Sequence, residues 1–154
     1  MNKKQLEGVY RKNAAVIITN GYGEVLLCEP VDFPGSVQTV QGGIMDGETP
    51  GKAARRELEE ELGLKPAQYE MVESLLATYK YEWPEDQVDP STPYIGQEQF
   101  FFLVRVHPDI KFILDTHVRE FSRVYWGPPD ELINKIWEPK RSGVRAAIEA
   151  FRRK

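Results

Sequence analysis

Residues 42–64 read GGIMDGETPGKAARRELEEELGL. Written as spacing, the stretch is G-x5-E-x7-R-E-L-x-E-E-x-G-L, running from Gly42 and Glu48 through Arg56-Glu57-Leu58 and Glu60-Glu61 to Gly63-Leu64. Thr49 is a natural N-cap, since its hydroxyl can accept from an unpaired N–H of a first helical turn. Pro50 suits the first helical position, where its missing N–H costs nothing. Ala53, Ala54, Leu58 and Leu62 favour helix, and Gly63 suits the left-handed residue just past its end. The spacing therefore predicts a helix over about Pro50 to Leu62. On that helix Glu57, Glu60 and Glu61 stand at i, i+3 and i+4, so their side chains converge. Leu58 and Leu62 then form an opposite, buried stripe.

Such a face is self-repelling. Like charges at i,i+4, as in Glu57 and Glu61, cost roughly 0.2–0.5 kcal/mol. Arg56, four residues before Glu60, offsets part of it. A solvated charged face is the ordinary reading of an acidic helix, but it leaves Gly42, Glu48, Arg56 and Gly63 unexplained. Seven near-fixed positions coincide by chance on the order of once in a billion start positions. A divalent cation among the carboxylates explains them together. Magnesium and manganese take oxygen ligands, and magnesium shares its shell with waters and substrate phosphates. The chemistry that suits such a site is phosphoanhydride hydrolysis.

The segment resembles the Nudix box of the Nudix hydrolase family, with no gap or substitution at its defining positions. That family cleaves nucleoside diphosphates linked to another group. The resemblance implies an α/β fold, an α/β/α sandwich around a mixed sheet. It also implies two or three Mg2+ or Mn2+ ions held by the Gly42 carbonyl, Glu57, Glu60 and Glu61. Arg56 matches the partner that orients the box glutamates. Glu48 matches a structural acid or one supporting the ligands from behind, and Gly43 and Gly63 match structural glycines.

The resemblance covers most of the chain. Tyr10-Arg11-Lys12-Asn13, Gln41-Gly42-Gly43-Ile44, Tyr94-Ile95-Gly96-Gln97-Glu98-Gln99 and Arg119-Glu120-Phe121 are similar to the subgroup of bacterial RNA 5′-pyrophosphohydrolases and asymmetric diadenosine tetraphosphate hydrolases. By that likeness Glu120 belongs to the metal site and can serve as base. Arg11 matches a phosphate-contacting arginine, and Tyr81 a substrate-site tyrosine. Lys80, Gln97, Gln99 and Lys140 are further substrate-contact candidates. Val37-Gln38-Thr39-Val40 departs from the subgroup's Trp-Gln-Phe-Pro. Pro30 and Pro139 fall where RNA-processing members place an arginine and a phenylalanine around a base. These departures put a dinucleoside polyphosphate, such as diadenosine tetraphosphate, ahead of an RNA 5′ end as the expected substrate. A module that senses a nucleotide without hydrolysing it is the third reading, and the intact glutamates weigh against it.

Composition agrees with one enzyme domain over residues 1–154. A chain of this length can bury roughly two thirds of its unfolded surface. Hydrophobic residues at 41% and charged residues at 29% are ordinary for a globule. The net charge of −4 argues against bulk affinity for DNA, so local basic positions must recognise phosphate. The single Cys28 excludes an internal disulfide and suits a reducing cytoplasm. No apolar run is long enough for a membrane span, and the first residues lack the apolar core of a signal peptide.

Strands are expected at Ala14–Thr19, Glu24–Cys28, Val37–Val40, within Tyr69–Tyr81, at Gln99–Val106 and at Arg123–Trp126. Asn20 to Gly23 reads as the turn of a hairpin. Further helices are expected at Pro129–Lys135 and Arg141–Phe151, the second with Val144, Ala147, Ile148 and Phe151 on one stripe. Trp83 to Pro93 is too polar for core and reads as a surface loop, either a flap over the substrate or a solvated insertion. Trp83 and Trp137 are candidate walls of a base pocket. His117, close to Glu120, is a weaker candidate, and His107 before Pro108 reads as a turn residue.

Overall fold

A computed structural model describes residues 9–154, apart from the side chains of residues 73 and 74. The opening segment, read above as lacking a leader core, lies outside the described residues. Strand β1 spans Tyr10–Thr19, and its apolar run is continuous because both of its faces are covered. Ala14, Val16 and Ile18 meet Ala53, Ala54, Leu58 and Leu62 of helix α1 (Pro50–Leu62). Ala15 and Ile17 meet Leu132 and Ile133 of α2 (Pro129–Lys135) and Val144, Ala147 and Ile148 of α3 (Arg141–Arg152). The result is a sheet between two helical layers.

The remaining strands are β2 (Val25–Pro30), β3 (Val40–Gly43), β4 (Glu70–Glu82), β5 (Gly96–Arg105) and β6 (Phe121–Gly127). Their order is β4-β5-β1-β2-β6, with β3 also paired to β1. The sheet is mixed: β1 and β5 run parallel from Tyr10 opposite Gly96 to Thr19 opposite Arg105, and the other pairings are antiparallel. The hairpin expected between β1 and β2 forms, with Thr19 opposite Val25. Leu58 is fully buried in this core, so its truncation to alanine costs about 2–5 kcal/mol.

Strand bounds differ from the sequence expectation: β1 starts four residues earlier, at Tyr10, and β5 three earlier, at Gly96, where the two pair in parallel, and β2 and β6 also run past their expected ends. The third strand begins at Val40 and continues through Gly43, because Asn13–Val16 of β1 offers its partners there; Gln38 makes only a single bridge to Cys28. The imperfect alternation of β4 has a cause: its pairing with β5 shifts register twice between Met71 and Ala77.

Candidate active site

Helix α1 begins and ends as its residues dictate. The Thr49 hydroxyl accepts from the Lys52 N–H at 3.2 Å, and Gly63 closes the helix at φ 67°. The glutamates do not lie opposite the apolar stripe, however. Glu57 and Glu61 are 8% and 6% exposed, buried along its flank. Glu57 follows Ala53 and Ala54 by four and three residues, and Glu61 follows Leu58 by three, so a helix seated on those buried side chains carries both acids to the sheet. They reach it at Gly42 of β3, where a Cβ would occupy the space of the Glu57 carboxylate.

Arg56 organises the acids. It donates to both Glu48 oxygens, from Nε at 2.8 Å and from a terminal nitrogen at 3.0 Å. Its other contacts are the Gly43 carbonyl at 2.9 Å, Glu57 at 2.6 Å and Glu60 at 3.3 Å. Glu48 also accepts from the Met45 N–H at 3.0 Å. Hydrogen bonds from Arg56 and then Met45 pull the Glu48 carboxyl down to about 2. Glu61 moves the other way. Burial, then a hydrogen bond and charge from Glu57, then the charge of Glu120, push it far above the usual carboxylate range; the Gln41 N–H opposes them.

The expected convergence of Glu57, Glu60 and Glu61 is therefore incomplete. Among the described residues no three such side chains form a ready cage for an ion. Arg56 draws Glu57 and Glu60 to its own guanidinium, while burial and then the neighbouring Glu57 favour the protonated form of Glu61. The donor set still fits a hard dication, being all oxygen. Exposed Glu120 reaches this cluster from the segment leading into β6. That segment is fastened by the Thr116 hydroxyl, which donates to the Glu60 carbonyl at 2.8 Å, and by the Val31 N–H, which donates to the Glu120 carbonyl at 2.9 Å.

Beside the acids lies a cavity of about 790 Å³. Tyr81, Gln97 and Lys140 line it, together with Phe33, Trp83 and Trp137. The Tyr81 hydroxyl donates to Gln97 at 2.6 Å, and the Tyr81 and Trp137 rings meet edge to face at 6.4 Å. Burial lowers Lys140 to about 8 against the opposing pull of Glu61. Gln41 also lines the cavity while its backbone contacts Glu61, so the cavity and the acid cluster share a wall.

Other candidates fall elsewhere. Gln99 is buried and does not reach the cavity; its amide donates to Asn13 at 3.1 Å, and Asn13 donates to Gln41 at 2.8 Å. Lys80 is exposed and sits over the Tyr10 ring at 5.3 Å, because neighbours on a strand face opposite sides and Tyr81 takes the cavity. Arg11 lies against Gly43 and lines an adjoining cavity. His117 is exposed, and His107 accepts from the Asp109 N–H in a turn. Sequence reasoning did not single out Gln41 as a cavity wall or Phe33 as its rim. Phe33 is 68% exposed, and a lone aromatic in a loop carries no periodic signal.

The model of the NUDIX domain matches residues 9–147. The chain belongs to the Nudix family. Over nearly their full lengths, this Nudix hydrolase and several relatives align at similar levels. An RNA pyrophosphohydrolase of a Nitratiruptor species is 33% identical, covering 99% of this chain and 97% of the relative. One from Roseobacter denitrificans is 37% identical over 92% and 91%. Among solved structures, the E. coli dihydroneopterin triphosphate pyrophosphohydrolase superposes with a TM-score of 0.70 at 20% identity, covering 93% of this chain and 97% of that one. A C. elegans Ap4A hydrolase gives 0.67 at 19%, covering 93% and 98%. These two likenesses establish the Nudix sandwich.

Proposed function

We propose that this Nudix hydrolase removes phosphate as pyrophosphate from the 5′-triphosphate end of RNA, using Mg2+ or Mn2+. The observation that carries this reading is the shared wall: Gln41 borders an aromatic cavity on one side and the acid cluster on the other. A base in the cavity thereby sets its own 5′ phosphates against Glu57 and Glu61. The names of the relatives aligned end to end support RNA over the dinucleoside polyphosphate favoured by sequence alone.

In this reading Glu57, Glu60, Glu61, Glu120 and the Gly42 carbonyl hold two or three ions, and Arg56 keeps Glu57 and Glu60 in reach. When bound, the metal neutralises phosphate charge and makes the attacking water more acidic. Glu120, exposed and unburdened by the Arg56 network, accepts the water's proton. Arg11 and Lys140 grip the phosphates. Gly43, Glu48 and Gly63 hold the frame; a Cβ at Gly63 would strike Ile113.

Diadenosine tetraphosphate remains the second reading. Pro30, which lines the cavity, and Pro139 supply neither a planar cation nor an aromatic ring to clasp an RNA base. The test is to incubate the protein with magnesium and either triphosphorylated RNA or diadenosine tetraphosphate, resolving products by mass. Pyrophosphate or successive phosphate release from RNA at the higher kcat/KM supports the first reading. Faster formation of ATP and AMP from the dinucleotide replaces it with the second, and no turnover of either overturns both.

A further inference from the structure

Gln99, Asn13 and Gln41 stand on three neighbouring strands, β5, β1 and β3, and their side chains form one chain of amides. Asn13 is the register partner of Gln99, and Gln41 stands opposite Ala15, two residues further along β1. By the alternation of a strand, Asn13 and Gln99 point to the same side as Ala15, Ile17, Phe101 and Leu103, into the apolar layer beneath α2 and α3. Both are 1% exposed. The Gln99 Nε2 donates to the Asn13 Oδ1 at 3.1 Å, and the Asn13 Nδ2 donates to the Gln41 Oε1 at 2.8 Å. Both bonds run the same way, towards β3. At the buried end, the Gln99 Oε1 has no hydrogen-bond partner among the described residues. At the other end Gln41 lines the cavity, and among the described residues its Nε2 makes no hydrogen bond.

Such a chain can be bonded in two senses, because turning an amide by half a rotation exchanges its oxygen and its –NH2. In the sense observed, Gln41 has its –NH2 left for the cavity; in the reverse sense it has its oxygen. Burial selects between them. Reversal would put the Gln99 –NH2 where the orphaned oxygen now stands, and a buried N–H without a partner is rarer in proteins than an under-satisfied oxygen. An orphaned buried oxygen is itself costly, and apolar side chains would fill this layer without that cost. We propose that Asn13 and Gln99 are positioning residues for the reaction: they hold Gln41 with its –NH2 towards the cavity, where it donates to a phosphate oxygen of the substrate. An oxygen at that position would repel the same phosphate. Gln41 is where this contact falls because its backbone contacts Glu61 while its side chain borders the cavity that Lys140 also lines. The group passing from cavity to acids at that wall is the polyphosphate, whose oxygens accept. The inference rests on the nucleotide-polyphosphate reading of the site and adds to it the direction of the amide chain.

The experiment measures ATP affinity by titration calorimetry, with calcium in place of magnesium, for wild type, Gln41→Leu, Asn13→Leu and the double variant. Gln41→Leu should weaken Kd roughly ten- to a hundredfold, the loss of one hydrogen bond to a charged group. Asn13→Leu is uncharged and close in size; by releasing Gln41 it should weaken Kd roughly three- to tenfold. In the Gln41→Leu background the same change should move Kd by less than about twofold, because its effect passes through Gln41. An Asn13 that only supports the fold would weaken binding by the same factor in both backgrounds, and that result overturns the proposal. A second measurement needs no variant at position 13: side-chain amide exchange followed by NMR in the wild-type protein. The Gln99 amide should be protected throughout, and the Gln41 amide should exchange freely until ATP and calcium are added. A Gln41 amide already protected before ATP arrives would set the chain in the reverse sense and overturn the proposal. Failure of the wild-type protein to bind ATP removes the polyphosphate reading and this inference together. The predicted coupling without hydrolysis in the assay above sinks the catalytic reading and leaves the amide chain standing.

Discussion

The carboxylate of Glu57 occupies the space that a side chain on residue 42 would need. Gly42 thus has a packing role separate from any carbonyl ligand it offers. A methyl group there must push the Glu57 carboxylate away from β3 and out of register with Glu61.

Gly42→Ala should therefore keep the fold and lose the chemistry. A displacement of about 1 Å at a reacting centre costs on the order of a hundredfold in rate. Circular dichroism should be unchanged and kcat should fall about a hundredfold or more. Full activity in this variant would show that Glu57 does not need its place against β3.

Glu61 makes stability depend on pH in a direction opposite to most acids. Its folded-state pKa is raised above the ordinary 4.5, so above that pH the folded protein holds a proton that the unfolded chain releases. Stability is full below about 4.5 and falls as pH rises, by up to roughly 1.4 kcal/mol per pH unit per proton. Without metal, Glu61→Gln should melt higher than wild type at pH 8, and the two should converge near pH 4. Added Mn2+ should raise the wild-type melting temperature more at pH 8 than at pH 6, because the ion replaces the proton. Scanning calorimetry at these pH values decides it.

Arg56 bridges Glu48, Glu57, Glu60 and the Gly43 carbonyl. A lysine cannot present a planar fork to Glu48 and also reach the rest. Arg56→Lys should cost about 1–3 kcal/mol, the scale of hydrogen bonds to charged groups, measured by urea unfolding. The Glu48 carboxyl, lowered to about 2, has the opposite sign to Glu61: its contribution is present above about 4.5 and is lost as pH falls towards 2. Arg56→Lys should flatten the acid limb of the unfolding profile.

Lys140, lowered to about 8 by burial, is charged at neutral pH and neutral in mild alkali. Its grip on phosphate should weaken as pH rises through that value. The profile of kcat/KM should fall above about pH 8, and Lys140→Gln should start lower and lose that limb. An unchanged alkaline limb in the variant would remove Lys140 from phosphate binding.

The helix bearing the glutamates was legible to the residue, from Pro50 to Leu62, because caps, propensity and period act within a few residues of one another. The two-sided burial of β1 was legible from its unbroken apolar run. The fate of each glutamate was not. Whether Glu57 and Glu61 face water or sheet depends on which side of α1 meets β3, and β3 itself was expected three residues early. Gln97 and Gln99 look equivalent along one strand, yet Gln97 reaches the cavity and Gln99 ends beneath Asn13.

The order of residues in the chain was enough to determine the family chemistry, the box helix and the layered α/β fold, since each follows from spacings and periods that a linear sequence carries. Only the tertiary structure decided that Trp83 and Trp137, more than fifty residues apart, line the same two cavities, and that Arg11 and Tyr94 line the second of them. Contacts between segments distant in the chain are selected by packing β1 against β5 and the helices against the sheet, and no local rule of spacing encodes them.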